Sequence, residues 1–310
     1  MLKNSLRLGT RNSSLAIIQA EIVRDALLKA FKKIPPIEIV TIQTSGDWNP
    51  GQQEQSFIDL NANKGFFTKE IEENLLAGNI DMAVHSMKDV PTQIPEDLIF
   101  AAILERADPR DAFLSPKAST LDALPNGARI GTSSLRRRAQ VLAKRPDTRV
   151  IPLRGNVDTR LRKLDAGEAD ATILAVAGLQ RLNAMDRISS ILDTETMLPS
   201  AGQGAIGVQI RENDEKMRHF LTRINARMTF DCVMAERAVL RELGGTCHMP
   251  IAALAEIRAG DTLELNALVA RLDGAEVIRT QRKGPVSSAV AMGEEAGEEL
   301  RKRMPCGFLA

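Results

Sequence analysis

Apolar and polar positions along the chain fall into two kinds of pattern, short continuous apolar runs and longer stripes at helical spacing. Residues 5–9 predict a short strand. After Thr10-Arg11-Asn12-Ser13, the positions Leu15, Ile17, Ile18, Ile22, Val23, Ala26, Leu27 and Leu28 form the stripe of a helix, with Ser13 placed to cap it. Residues 37–43 predict a second strand, and the polar stretch from about Thr44 to Lys64 is long enough to be a functional loop or lid. A helix over 66–77 then leads to a strand over 80–84 that ends at His85-Ser86-Met87-Lys88-Asp89-Val90-Pro91. A second β-α-β-α-β set has strands near 129–132, 149–153 and 170–175 and helices near 134–144 and 157–166. After the turn Pro199-Ser200-Ala201-Gly202, a strand over 204–210 is free to return to the first sheet. From about residue 226 the order changes to a helix (227–242), three alternating segments (251–258, 263–270, 275–282) and a helix (287–303), a small α+β unit. Two successive α/β units leave a cleft between them, and open α/β sheets bind ligands at their strand ends.

Composition narrows the class. At roughly 100–200 residues per domain, the 310 residues suggest two or three domains, and 44% hydrophobic with 26% charged residues excludes disorder, collagen and coiled coil. Cys232, Cys247 and Cys306 sit at no metal-ligand spacing, and their scarcity suits a reducing compartment, so a cytoplasmic location and no metal are expected. No apolar run approaches the ~20 residues of a membrane span. Met1-Leu2-Lys3-Asn4-Ser5 passes straight into a strand, so no signal peptide is expected.

Charge is concentrated in one region. From Arg129 to Lys163 eleven Lys and Arg meet two acids, a local +9 against −8 for the remainder of a chain whose net charge is +1. Arg136, Arg137 and Arg138 open a helix after Gly131-Thr132-Ser133-Ser134, where backbone N–H groups, hydroxyls and guanidinium forks converge on an anion. Arg154 and Arg160 sit similarly, at a strand end and in the next helix's first turn. A solvated face or a nucleic-acid patch is the alternative. Position at strand-to-helix turns, the absence of Tyr and a single Trp favour a small polycarboxylate ligand.

Two further groups carry candidate chemistry. Asp89, after a buried-looking strand, can accept hydrogen bonds from an N–H-rich substrate or move a proton, and can equally cap the turn before Pro91. Cys247 lies in the glycine-rich turn Leu243-Gly244-Gly245-Thr246-Cys247-His248-Met249-Pro250. A lone Cys is usually a small buried hydrophobe, yet this setting makes Cys247 the best of the three for covalent chemistry. Arg106-Ala107-Asp108-Pro109-Arg110-Asp111 reads as a charged linker turn for salt bridging, without a catalytic role.

Several of these segments together resemble the porphobilinogen deaminase (hydroxymethylbilane synthase) family. They are Gly9-Thr10-Arg11-Asn12-Ser13, Lys64-Gly65-Phe66-Phe67, Ala83-Val84-His85-Ser86-Met87-Lys88-Asp89-Val90-Pro91, Asp108-Pro109-Arg110-Asp111, Gly131-Thr132-Ser133-Ser134-Leu135-Arg136-Arg137, Leu153-Arg154-Gly155-Asn156-Val157, Leu198-Pro199-Ser200-Ala201-Gly202-Gln203-Gly204 and the Cys247 turn. The resemblance implies two α/β domains of periplasmic-binding-protein type flanking a cleft, 1–104 with 204–224 and 105–203, plus a small C-terminal α+β domain, 225–310. It implies a dipyrromethane cofactor held by a thioether to Cys247, onto which porphobilinogen units are added with loss of ammonia before linear hydroxymethylbilane is released by hydrolysis. A monomer acting on porphobilinogen, with neither nucleic acid nor membrane as partner, is expected.

By the same resemblance Arg11, Ser13, Lys88, Ser134, Arg136, Arg137, Arg154 and Arg160 bind the acetate and propionate groups of the pyrroles, with Lys64 and Phe67 facing the cleft from the lid. Asp89 would lie beneath the pyrrole N–H groups, stabilise the cationic azafulvene formed as ammonia leaves and assist proton transfer. The chain departs from the family at the lid, where Ala62-Asn63-Lys64-Gly65 replaces a common Gly-Gly-Lys-Gly run and Leu60 replaces a frequent lysine, and at Ser14, which replaces a common proline. A non-catalytic anion-binding protein of periplasmic-binding-protein type is the competing reading, opposed by the missing signal peptide.

Overall fold

The computed structural model describes residues 5–45, 68–244, 249–258, 260–305 and 307–308. The strands are β1 (Leu6–Arg11), β2 (Ile37–Ile42), β3 (Met82–Ser86), β4 (Leu98–Ile103), β5 (Asp111–Leu114), β6 (Arg129–Gly131), β7 (Arg149–Ile151), β8 (Ala171–Ala175), β9 (Ser190–Ile191), β10 (Ile206–Arg211), β11 (Ile251–Arg258), β12 (Thr262–Ala270) and β13 (Val277–Pro285). The helices are α1 (Ser14–Ala30), α2 (Lys69–Leu76), α3 (Leu135–Lys144), α4 (Val157–Asp165), α5 (Val176–Arg181), α6 (Glu215–Leu221), α7 (Arg227–Glu242) and α8 (Ala289–Arg303).

Three sheets organise them, in the orders β2-β1-β3-β10-β4, β7-β6-β8-β5-β9 and β11-β12-β13. In the first, β1 runs parallel to β2 and β3, and β10 enters antiparallel between β3 and β4, the return expected from the sequence. Helix α1 begins where Ser13 Oγ accepts the Ala16 N–H at 3.3 Å. It buries Ala20, Val23 and Leu27 against Leu6, Leu8, Met82 and Val208 of that sheet. The second sheet repeats the pattern, with α3 and α4 capped by Ser134 and Asn156. In the third unit α7 and α8 lie on an antiparallel sheet and share a core of Ala235, Val239, Leu265, Ala296 and Leu300.

The structure shifts some predicted boundaries. The strand expected over 80–84 runs instead over Met82–Ser86, because Asp81 is held by the Arg7 backbone, its N–H to Arg7 O and its carboxylate accepting the Arg7 N–H at 2.8 Å. His85 and Ser86 therefore belong to the strand, paired with Gly207 and Ile206. Helix α2 begins at Lys69, later than the predicted 66. Strands β4 and β5 lacked a signal: Leu98-Ile99-Phe100-Ala101-Ala102-Ile103 has no alternation, and Asp111-Ala112-Phe113-Leu114 is only four residues.

Two connections cross between the large sheets, residues 104–110 and 192–205, and they are stitched together by Leu104 N–H to Ile206 O (3.0 Å) and Ala107 N–H to Gly204 O (3.3 Å). Glu236 of α7, wholly buried, gathers this region. Its carboxylate accepts both Arg106 arms, the Gly202 N–H at 2.6 Å and the Ala255 N–H at 2.8 Å. The charged turn read as a salt-bridging linker thus joins the third unit to the crossing.

Candidate active site

Parallel pairing of β1 with β3 brings their ends side by side, so the residues that follow each strand meet at one sheet edge. Arg11 and Ser13 come from the first; the 3-10 turn Met87–Asp89 comes from the second. Arg11, Ser13, Gln19, His85, Ser86 and Asp89 line one cavity there. Gln19 and Ser86 are mutually hydrogen-bonded at 2.8 and 3.0 Å.

Behind this wall runs a buried polar line. Gln209 Nε2 donates to Glu72 Oε1 at 3.0 Å, which turns its Oε1 toward His85 Nε2, also at 3.0 Å. With that orientation His85 carries its proton on Nε2. Burial pushes the His85 imidazole down to about 4, with the Gln209 hydrogen bond opposing the shift, so the ring is neutral near pH 7. Burial likewise raises the Glu72 carboxyl against its hydrogen bonds from Gln209 and Thr68.

The facing wall comes from the second sheet. Ser134 Oγ caps α3 by accepting the Arg137 N–H at 3.4 Å. Asp111, wholly buried at the start of β5, takes Arg136 at 2.8 Å on one oxygen and Arg137 at 2.7 Å on the other. Gln203 adds a bond at 2.9 Å. Burial by itself would raise the Asp111 carboxyl; Arg136 and Arg137 more than reverse it and hold the group ionised far below the usual range. Arg136 also donates to Leu198 O at 2.7 Å, so two protein acceptors hold its guanidinium. Arg137 keeps a buried Nε with no hydrogen-bond partner among the described residues, as does Ser133 Oγ.

The two walls act on one another. Burial pulls the Lys88 ammonium down to about 8, with Asp89 opposing and Arg137 of the second sheet adding to the shift. Burial and then Arg137 pull Arg160 down to about 10, and here too Asp89 opposes. Lys88 and Arg160 thus each feel both Asp89 and Arg137, across the two sheets. Arg160 Nε is tied to Gly155 O at 2.8 Å, and Arg154 is half-buried at the turn between β7 and α4. Lys64, Phe67 and Cys247 lie outside the described residues.

Several site residues had no sequence signal of their own. Asp111 and Gln203 stood in the quoted motifs, but their meeting joins positions 92 residues apart. Arg181, at the end of α5, donates to Gly204 O at 2.7 Å, and burial draws it down to about 10. His85 and Gln19 read as ordinary strand and helix positions.

A buried guanidinium nitrogen without a partner, a buried hydroxyl without one, and cations from both walls around a single carboxylate fit a group carrying many carboxylates and a few N–H donors. Among the described residues no three His, Cys, Asp or Glu are placed to hold a metal, and no helix is long and apolar enough to cross a membrane.

Comparison with known proteins agrees with that chemistry. Residues 6–219 match the family described as "Porphobilinogen deaminase, dipyromethane cofactor binding domain", and residues 230–302 match "Porphobilinogen deaminase, C-terminal domain". A porphobilinogen deaminase of Nitrobacter hamburgensis is 48% identical over 96% of this chain and 92% of the relative. One of Paracoccus denitrificans is 46% identical over 99% and 96%. Among solved structures, an ancestral cationic amino acid solute-binding protein overlaps 74% of this chain and 91% of its own, with a TM-score of 0.45 and 16% identity. At that score the two-sheet architecture rests on the strand pairings given above. The chain belongs to the porphobilinogen deaminase family, transferases of tetrapyrrole biosynthesis that make hydroxymethylbilane on a dipyrromethane cofactor.

Proposed function

We propose that Asp89 is the catalytic carboxylate of this hydroxymethylbilane synthase and that Cys247 carries its cofactor. The observation behind the first assignment is that Asp89 lines the cavity at the end of β3 and lies within electrostatic reach of Lys88 and of Arg160 from the second sheet. When bound, dipyrromethane supplies the pyrrole carbon to which the first substrate unit is joined.

The chain's own residues divide the remaining work. Arg11, Ser13, Lys88, Arg137, Arg154 and Arg160 bind pyrrole acetates and propionates, the arginines in bidentate fashion. Ser134 and Arg136 support them, Ser134 by capping α3 and Arg136 by fixing Asp111 and hence Arg137. The Asp89 carboxylate accepts the pyrrole N–H, offsets the positive charge that develops as ammonia leaves, and exchanges protons there. Lys64 and Phe67 complete the cleft from the lid. The domains are 1–104 with 204–224, 105–203 and 225–310, and the enzyme works as a cytoplasmic monomer on porphobilinogen, without nucleic acid or membrane.

Cys232 supports the choice of Cys247. It is buried inside α7, and burial, followed by the Glu236 charge, pushes its thiol up to about 12, which leaves little thiolate at pH 7. The test is the intact mass of denatured protein with peptide mapping. Wild type is expected to carry two linked pyrroles on the Cys247 peptide, and Cys247→Ser none. A serine variant that is loaded and active would refute the attachment site.

A further inference from the structure

Helix α7 reaches the Lys88-Asp89 turn with two consecutive side chains, from opposite sides. Glu236 holds the Gly202 N–H at 2.6 Å. Gly202, in the left-handed region at φ 71°, presses on the turn so closely that a Cβ there would stand 2.8 Å from Met87 Cβ and 3.1 Å from the Lys88 nitrogen. Arg237 grips the far side, its Nη1 donating to Val90 O at 3.1 Å and its Nη2 to Pro91 O at 2.6 Å, with Thr92 O at 3.5 Å. Its guanidinium lies 5.8 Å from the Phe100 ring centroid, and Phe100 in turn meets the His85 ring edge-on at 6.1 Å.

Such a guanidinium is an expensive way to hold a loop. Burial draws Arg237 down to about 10, and Glu72 offsets this only in part, while Arg241 one turn along α7 adds to it. No carboxylate of the described residues forms a salt bridge with it. Its donors go to carbonyls of the three residues that immediately follow Asp89. The helix carrying it then runs on to Glu242 and, past Gly244, into the segment with Cys247. From Arg237 to Glu242 the rise is only ~8 Å at 1.5 Å per residue, so one rigid element links the carboxylate turn to the end of α7.

We infer that Arg237 is a positioning residue for the reaction: it sets the Asp89 carboxylate in register with α7. The inference rests on Asp89 being the catalytic carboxylate. Displacing a reacting group by about 1 Å costs on the order of a hundredfold in rate without removing any binding contact. Loss of Arg237 should therefore lower kcat and leave KM, set by the cationic groups of the cleft, nearly unchanged.

The test compares Arg237→Met and Arg237→Lys with wild type as cofactor-loaded protein, loading being checked by intact mass. Arg237→Met is expected to lose at least about tenfold in kcat with KM within about twofold, and amide exchange of the 86–92 peptide should quicken. Arg237→Lys, which keeps the charge but lacks the two-armed fork, should fall between the two. Full kcat in a loaded Arg237→Met protein, or unaltered exchange at 86–92, overturns the inference. If Arg237→Met does not fold or load, Arg237→Lys decides by the same two readouts. Asp89→Asn measured in parallel separates the claims. Turnover retained there removes the underlying reading, whereas an inactive Asp89→Asn beside a fully active Arg237→Met removes only the positioning role. In an Asp89→Glu background, where the carboxylate is already displaced, Arg237→Met should cost less than about threefold; an undiminished effect counts against it.

Discussion

The two large sheets share one strand plan and differ in what their edges carry. Each has a parallel trio (β2-β1-β3 and β7-β6-β8), then an antiparallel strand, then a fifth antiparallel to that one. In the first sheet β3 ends in a 3-10 turn that presents Asp89 next to Lys88, in a cavity shared with Arg11, Ser13, Gln19, His85 and Ser86. In the second, β6 and β7 lead into helices whose first turns carry Arg136, Arg137 and Arg160, and the buried charge lies within the sheet itself, at Asp111. The scaffold is neutral about chemistry; under the assignment proposed above both walls offer cations to the ligand, and the first adds at Asp89 a carboxylate that can exchange protons.

Removing the lone carboxylate of the first wall should have the largest effect on this division. Asp89→Asn is expected to keep its fold and its KM within a few-fold, and to lose on the order of a hundredfold or more in kcat. Steady-state rates at saturating porphobilinogen measure it, and near-normal turnover would erase the functional difference between the walls.

The corresponding cut in the second wall should be felt in stability before activity. Asp111→Ala leaves Arg136 and Arg137 buried without their carboxylate, and removing one partner of such a pair typically costs about 3–5 kcal/mol. Denaturant unfolding should show that loss. Protein of unchanged stability would mean that water or a ligand already shares these guanidinium groups.

A smaller, pH-dependent effect belongs to the first sheet. The unfolded His85 imidazole protonates near 6.5 and the folded one only near 4, so between those values the unfolded chain binds more protons. Stability should fall as pH drops from about 6.5 to 4, by an amount on the order of 3 kcal/mol for this group. His85→Asn should flatten that part of the profile relative to wild type in urea titrations at pH 7 and 4.5. An identical profile in both proteins would place the ring's titration elsewhere.

Much of this was legible in advance, for reasons that are local. Helix α7 follows its apolar stripe residue for residue, Ser13 caps α1 as its side-chain oxygen dictates, and the arginine-rich turns stand out because their charge is unbalanced nearby. Strand β4 was illegible because its six residues are all apolar and show no alternation, and β5 because it is four residues long and buried throughout. The partners of Arg136 within the chain were hidden for a related reason. From sequence it is one of three adjacent arginines at a helix start, and only the folded chain brings Asp111 and Leu198 O to its guanidinium, while Arg137 keeps a buried Nε with no hydrogen-bond partner among the described residues.

By itself, then, the sequence determined most of the longer elements, the family and the chemical types at the strand ends, since periodicity, capping and motif spacing act over a few residues. Tertiary structure alone decided which charges neutralise one another and which remain for a ligand. Lys88 and Arg137 influence each other from different sheets, Asp111 meets Gln203 across 92 residues, and Arg237 of the last unit grips the turn beside Asp89 in the first. The physical reason is that Coulomb forces and burial depend on distance and surroundings in space, which chain order does not specify until the sheets have been brought face to face.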